Sequence, residues 1–247
     1  MKKIFLTAVL CVLTAVSGFA QESEKSVLCI GNSFTFFHDS YKRLAELAES
    51  QGHKLNVNAQ FVGGYTFHRH LNRDETMGAI TYGKFDYVFL QDQSQTPALY
   101  GQDPVRCHLL GADAVELTER IRCYSPNAKV WIEQTWSYSA GNYGGFGSFE
   151  AFDGYLAKGT AMMAEKSNAL VSPIGDAFAI CRAERPDINL YDPDNKHQSA
   201  LGTYLKSCVN YLLIFGQPFT ADATDCGYDH ESTVYLRSLA ERVVLKK

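Results

Sequence analysis

The chain has 247 residues, 46% of them hydrophobic and 20% charged, with 27 acidic against 23 basic side chains and a formal net charge of −4. That length and apolar content suit one α/β domain with a substantial core. A mildly acidic chain without a basic cluster argues against nucleic acid and against an anionic membrane surface as partners.

The start of the chain reads as a processing signal. Lys2 and Lys3 form a positive n-region, Ile4 to Val16 is an apolar stretch, and Gly18-Phe19-Ala20 offers the small residues of a cleavage site. The apolar stretch is too short for a membrane anchor. Residues 1–20 are therefore expected to be a signal peptide and residues 21–247 a single domain, exported to the periplasm or secreted, without membrane insertion. In that compartment disulfides are permitted. Cys29 reads as strand packing, Cys107 and Cys123 as opposite ends of one helix, and Cys181, Cys208 and Cys226 as bridge partners. There is no Cys-x-x-Cys and no Cys/His cluster, and the pair His68 and His70 lacks a third ligand, so no metal and no other cofactor is expected.

Strand-like runs then alternate with amphipathic helical stretches, which predicts a parallel sheet with helices on both faces. The predicted strands are Val27–Ile30, Lys54–Ala59, Tyr87–Leu90, Lys129–Glu133 and Ala169–Pro173. The predicted helices are Tyr41–Ser50, Val105–Cys123, Phe149–Ser167, Gly175–Arg182, Gln198–Phe215 and Glu231–Leu245, the last packing on the outside. In such sheets ligands gather beyond the carboxyl ends of the strands. The chemically distinctive residues fall there: Ser33 after the first strand, Gly63-Gly64 after the second, Gln91-Asp92-Gln93-Ser94 after the third and Trp136–Phe146 after the fourth.

Ser33 follows Gly31-Asn32 where a strand gives way to a turn. A serine hydroxyl becomes a nucleophile only when a base takes its proton and the backbone presents it openly. Taken alone, the segment is equally an ordinary strand-end turn. His197 stands before an apparent helix start, and imidazole can accept a proton near neutral pH. Asp194, three residues earlier, could orient that imidazole, with Asp192 as the reserve. Composition alone would make the same stretch a surface turn. Acyl transfer also needs donors for the oxygen that becomes negative. Candidates are the amides of Ser33 and Gly64 and a carboxamide from Gln91 or Gln93. Trp136, Tyr138, Asn142 and Tyr143 lie in a glycine-rich segment suited to stacking on a sugar ring and bonding its hydroxyls; the alternative is a surface loop with its aromatics folded inward.

These residues resemble the four blocks of the SGNH (GDSL-like) hydrolase superfamily. Gly31-Asn32-Ser33 looks like the first block, with Asn32 where Asp is commoner. Gly63-Gly64 resembles the second, and Asp194-Asn195-Lys196-His197 the last. The third block departs: Gln91-Asp92-Gln93-Ser94 is similar to the Gln-Gly-Glu-Ser form of the sialate and acetylxylan esterase branches. The resemblance implies a flavodoxin-like three-layer α/β/α sandwich with a five-stranded parallel sheet. It further implies Ser33 as nucleophile, His197 as base and Asp194 as its partner, an oxyanion hole from Ser33, Gly64 and a glutamine, Asn32 beside the substrate, and no cofactor. The expected activity is removal of small acyl groups, acetyl above all, from carbohydrates. The alternatives are a lysophospholipase or thioesterase, an O-acyltransferase, or a non-catalytic carbohydrate-binding protein.

Overall fold

The protein is described from a computed structural model over residues 24–246; the predicted signal peptide, residues 1–20, lies outside the described residues. Five strands, β1 (Lys25–Gly31), β2 (Leu55–Phe61), β3 (Tyr87–Leu90), β4 (Lys129–Glu133) and β5 (Leu170–Ser172), form one sheet. All neighbours pair in parallel, in the order β2-β1-β3-β4-β5. All five predicted strands are present, in the flavodoxin-like order.

The helices are α1 (Ser33–Phe36), α2 (Ser40–Ser50), α3 (Phe67–Leu71), α4 (Asp74–Tyr82), α5 (Thr96–Gln102), α6 (His108–Tyr124), α7 (Phe149–Lys166), α8 (Ile174–Glu184), α9 (Ala200–Phe215) and α10 (His230–Leu245). They cover both faces of the sheet. Alternation along the strands sends Val27, Cys29, Phe89 and Trp131 into one core with α2, α8, α9 and α10. Leu28, Ile30, Val88, Leu90, Val130 and Ile132 enter the other, with α3, α4 and α6. Strands buried on both faces must read as near-continuous apolar runs, as Val27–Ile30 does.

Helix α9 is almost wholly buried, because α10 covers its outer side through Leu236, Leu239 and Ala240. The Ser199 side chain accepts the Gly202 amide at its start, and Gly216 ends it in the left-handed conformation at φ 67°. Four helices were not expected: α1, α3, α4 and α5. Pro97 near the start of α5 reads as a breaker in sequence, yet the first helical turn has no intrahelical donor to lose there. The expectation of a disulfide is not met. The six cysteines among the described residues are all thiols, with Cys181 and Cys208 buried in apolar surroundings on separate helices.

The chain leaves β1 toward β2 on one side and returns to β3 on the other. A crevice therefore opens between the carboxyl ends of β1 and β3, the switch point where doubly wound folds bind ligands. The loop after β3 continues into α5, which is set by a close crossing with α7. A Cβ at Gly159 would lie 1.7 Å from the carbonyl oxygen of Pro97. Gly159→Ala is expected to cost about 1–3 kcal/mol through forced separation of the two helices. Thermal unfolding should show it as a lower midpoint; an unchanged midpoint would contradict the crossing.

Candidate active site

Strand β1 ends at Gly31, where no side chain fits: a Cβ would lie 2.2 Å from the Thr35 Oγ1 and 2.7 Å from the Gln91 Oε1. Asn32 follows as the cap of α1. Its side chain accepts the Phe34 amide and its carbonyl accepts those of Thr35 and Phe36. The amide of Ser33, first in the helix, has no intrahelical acceptor.

His197 reaches this serine from a distance of 164 residues along the chain. Its Nε2 lies 2.8 Å from the Ser33 Oγ and its Nδ1 2.5 Å from the Asp194 Oδ2. With Asp194 holding a proton on Nδ1, Nε2 is the acceptor for the serine hydroxyl. The other Asp194 oxygen accepts the amides of Lys196 and His197 at 2.9 and 3.0 Å. Burial alone would push this carboxyl up; the bonds from the His197 ring and from those two amides outweigh it and hold the group below its ordinary value. Asp192, the reserve, points elsewhere: it bonds His38 Nε2 at 3.0 Å.

The imidazole is also held by its rings. Phe37 stacks on it at 4.1 Å between centroids and Phe34 meets it edge-on at 5.2 Å. Trp136 lies flat between Phe34 at 4.7 Å and Phe178 at 4.2 Å. Its indole N–H donates to the Lys196 carbonyl at 3.0 Å. Ser139 adds two bonds to Asn195, backbone to backbone at 2.9 Å and hydroxyl to Oδ1 at 3.0 Å. The Asp194–His197 turn is therefore pinned from beneath by the loop after β4.

That packing corrects the substrate-stacking reading. Trp136 is 1% exposed and Asn32 2% exposed, so both belong to the scaffold. Asn32 donates from its side chain to the Tyr65 carbonyl at 2.9 Å, tying the loop after β2 to the Ser33 turn. Tyr138 is buried, with its hydroxyl 2.9 Å from the Ser94 Oγ and its ring edge-on to Phe152. Tyr143 is half-buried in a short 3-10 turn, and Asn142 is exposed just before it. The aromatics that do flank the site are the half-buried Phe36, Phe37 and Phe61. The run Phe34-Thr35-Phe36-Phe37, directly after Ser33, was the sequence signal for Phe36 and Phe37.

The two glutamines separate clearly. Gln91 is buried and turned inward, its Oε1 accepting the Asn32 amide and the Thr35 hydroxyl, both at 2.9 Å, while its amide donates to the Asp92 carbonyl. It closes the gap between β1 and β3 and is not free to meet an oxyanion. Gln93 is half-buried; its Oε1 accepts the Gln95 amide at 2.9 Å, and its Nε2 makes only a long 3.4 Å contact with Ser94. Gly64 sits exposed at φ 69°, a left-handed conformation that suits glycine.

Two buried ionisable groups brace these loops and were not anticipated. The Asp92 Oδ1 accepts the amides of Phe67 and Gln93 at 2.9 and 2.8 Å, linking the second loop to the third. His70, fully buried, bonds the Gly31 carbonyl at 2.9 Å and Thr76 at 3.0 Å, while His68 pairs with Asp113. Among the described residues no group of three or more His, Cys, Asp or Glu could hold a metal ion. Nor is any helix there long and apolar enough to cross a membrane.

No family model matches the chain. Nor does any curated protein. Solved structures do match. A DUF4886 family protein from Bacteroides uniformis is similar at 19% identity and a TM-score of 0.76, covering 90% of this chain and 95% of that one. A protein from Slackia heliotrinireducens provisionally classed with the SGNH hydrolases shares 26% identity at a TM-score of 0.63, over 78% of this chain and all (100%) of that one. An acetylxylan esterase from Geobacillus stearothermophilus shares 14% identity at a TM-score of 0.58, over 80% and 97%. The fold is that of the SGNH (GDSL-like) hydrolases, with carbohydrate esterases among its structural neighbours.

Burial pushes the Asp92 carboxyl up to about 7, against the two amide bonds that favour its charged form. An unfolded chain gives up that proton near pH 4. Between roughly pH 4 and 7 the fold thus binds the extra proton, and this group's contribution to stability falls as pH rises. Asp92→Asn keeps an acceptor for both amides and cannot ionise. Its unfolding midpoint should match the parent near pH 4 and exceed it at pH 8, by the equivalent of a few kcal/mol, on the order set by a shift of this size. His70, pushed down to about 4 mainly by burial, titrates in the same window but is common to both proteins and cancels. A gain greatest at pH 4 would contradict this account.

Proposed function

We propose that this SGNH-fold protein is an exported serine esterase that removes small acyl groups, above all acetyl, from carbohydrates. The observation that carries the reading is the unbroken hydrogen-bond relay Asp194–His197–Ser33 at 2.5 and 2.8 Å. Ser33 Oγ attacks the acyl carbon while His197 Nε2 takes its proton, and Asp194 stabilises the imidazolium that forms. The carbonyl oxygen, now negative, is met by the amides of Ser33 and Gly64 and the Gln93 carboxamide. His197 returns the proton to the departing sugar oxygen. A water, activated by the same imidazole, then hydrolyses the acyl-Ser33 ester.

The carbohydrate part of the proposal is supported by the acetylxylan esterase among the neighbours and by the export signal expected from the sequence. One observation favours a second reading: Phe36, Phe37 and Phe61 give the site an apolar flank that could receive a longer acyl chain, as in a lysophospholipase or thioesterase. Hydrolysis of 4-nitrophenyl acetate against the octanoate ester separates the two. The acetyl reading expects the higher kcat/KM on acetate and release of acetate from acetylated polysaccharides; a strong octanoate preference would overturn it. Ser33→Ala is expected to lower kcat by about 10⁴-fold or more with the fold intact. A variant that keeps its rate would remove the serine from the mechanism.

A further inference from the structure

Helix α1, which carries Ser33, is four residues long, too short to hold itself by its own hydrogen bonds. The carbonyls of Phe34 and of Phe37, the residue that ends it, are held from outside. The Phe34 carbonyl accepts from the Lys206 Nζ at 3.0 Å and the Gln198 Nε2 at 3.2 Å. The Phe37 carbonyl accepts from Gln198 at 3.4 Å and the Thr203 Oγ1 at 3.3 Å. All three donors lie on α9 or immediately before it, on the segment that His197 introduces.

Lys206 is itself fixed. Its ammonium lies 2.5 Å from the Glu133 Oε2 at the end of β4, and both side chains are only 4% exposed. The Asn210 Nδ2 donates to the other Glu133 oxygen at 2.8 Å, and the Ser172 hydroxyl at the end of β5 donates to Asn210 at 2.8 Å. The side chains of Lys206, Glu133, Asn210 and Ser172 thus bond one to the next, and the chain of contacts ends on the backbone of the nucleophile's helix.

A buried ion pair is seldom more stable than well-packed apolar residues of the same volume. Stability alone therefore gives weak reason for two charges beneath the site. We propose that Glu133 and Lys206 are positioning residues: Glu133, fixed at the end of β4 and tied through Asn210 to Ser172 of β5, holds the Lys206 ammonium on the Phe34 carbonyl and so keeps the Ser33 hydroxyl in reach of His197. The inference rests on the esterase reading of the same site. Neither side chain touches the reacting atoms; their effect passes through the backbone of α1.

The test is the double variant Glu133→Gln/Lys206→Met, which removes both charges and keeps volume and an acceptor for Asn210. Its unfolding midpoint should stay near the parent's, its KM for 4-nitrophenyl acetate should change less than about twofold, and its kcat should fall by about 10²-fold, the scale of an ångström of misplacement. Gln198→Leu, which removes the other donor to Phe34 without touching a charge, should lower kcat in the same way. A folded double variant with parental kcat overturns the proposal, as does a kcat loss that only tracks a lower midpoint. Should the double variant fail to fold, Glu133→Gln alone decides, with a kcat loss of about fivefold at unchanged KM expected and parental kcat contradicting. A parent enzyme inactive on every ester would overturn the esterase reading instead, which Ser33→Ala checks separately.

Discussion

The hydrogen bond between Ser33 and His197 joins the end of the first strand to a turn 164 residues later. The packing and hydrogen bonds beneath the site keep those two atoms 2.8 Å apart. Closing so long a loop for one polar contact would be unfavourable by itself. The sheet and α9 offset that cost, because the core they bury fixes the backbone at both ends. Parallel β1 and β3 present their carboxyl ends together, and α9 brings the histidine turn over them while gripping α1 from below.

Aromatic packing does for His197 what hydrogen bonds do for Ser33. The stack Phe178–Trp136–Phe34 runs from α8 to the residue after Ser33, and Phe34 and Phe37 enclose the imidazole. The indole N–H then fixes the backbone of Lys196. A ring so placed has few alternative rotamers, which is what a base needs in order to stay aligned. Buried polar groups complete the frame: Gln91, Asp92 and Asn32 each bridge two of the loops that carry the candidate oxyanion donors.

Much of this was legible in the sequence where the signal is local. Apolar runs marked the five strands, and Gly31-Asn32-Ser33 and Asp194-x-x-His197 marked, at readable spacing, the side chains that the fold joins by hydrogen bonds. What could not be read is which side of a side chain faces water. Trp136 and Tyr138 have the composition of a sugar platform, yet packing turned them into struts beneath the histidine turn. Gln91 and Gln93 look equivalent as letters; only the strand register, with Leu90 paired to Ile30, turns the first inward against the Asn32 amide. Lys206 was hidden inside an apolar helix pattern, and its partner Glu133 reads in sequence as the polar end of a strand. The short helices α1 and α3 carry too few residues for a period to register.

The central claim is that Ser33 is a nucleophile activated by His197. The most direct measurement is peptide mass spectrometry after exposure to a fluorophosphonate, which reacts covalently with an activated serine. The account predicts one adduct per chain, on the peptide containing Ser33, and loss of that adduct in His197→Ala. An unmodified Ser33, or an adduct that forms equally well without the histidine, would contradict it.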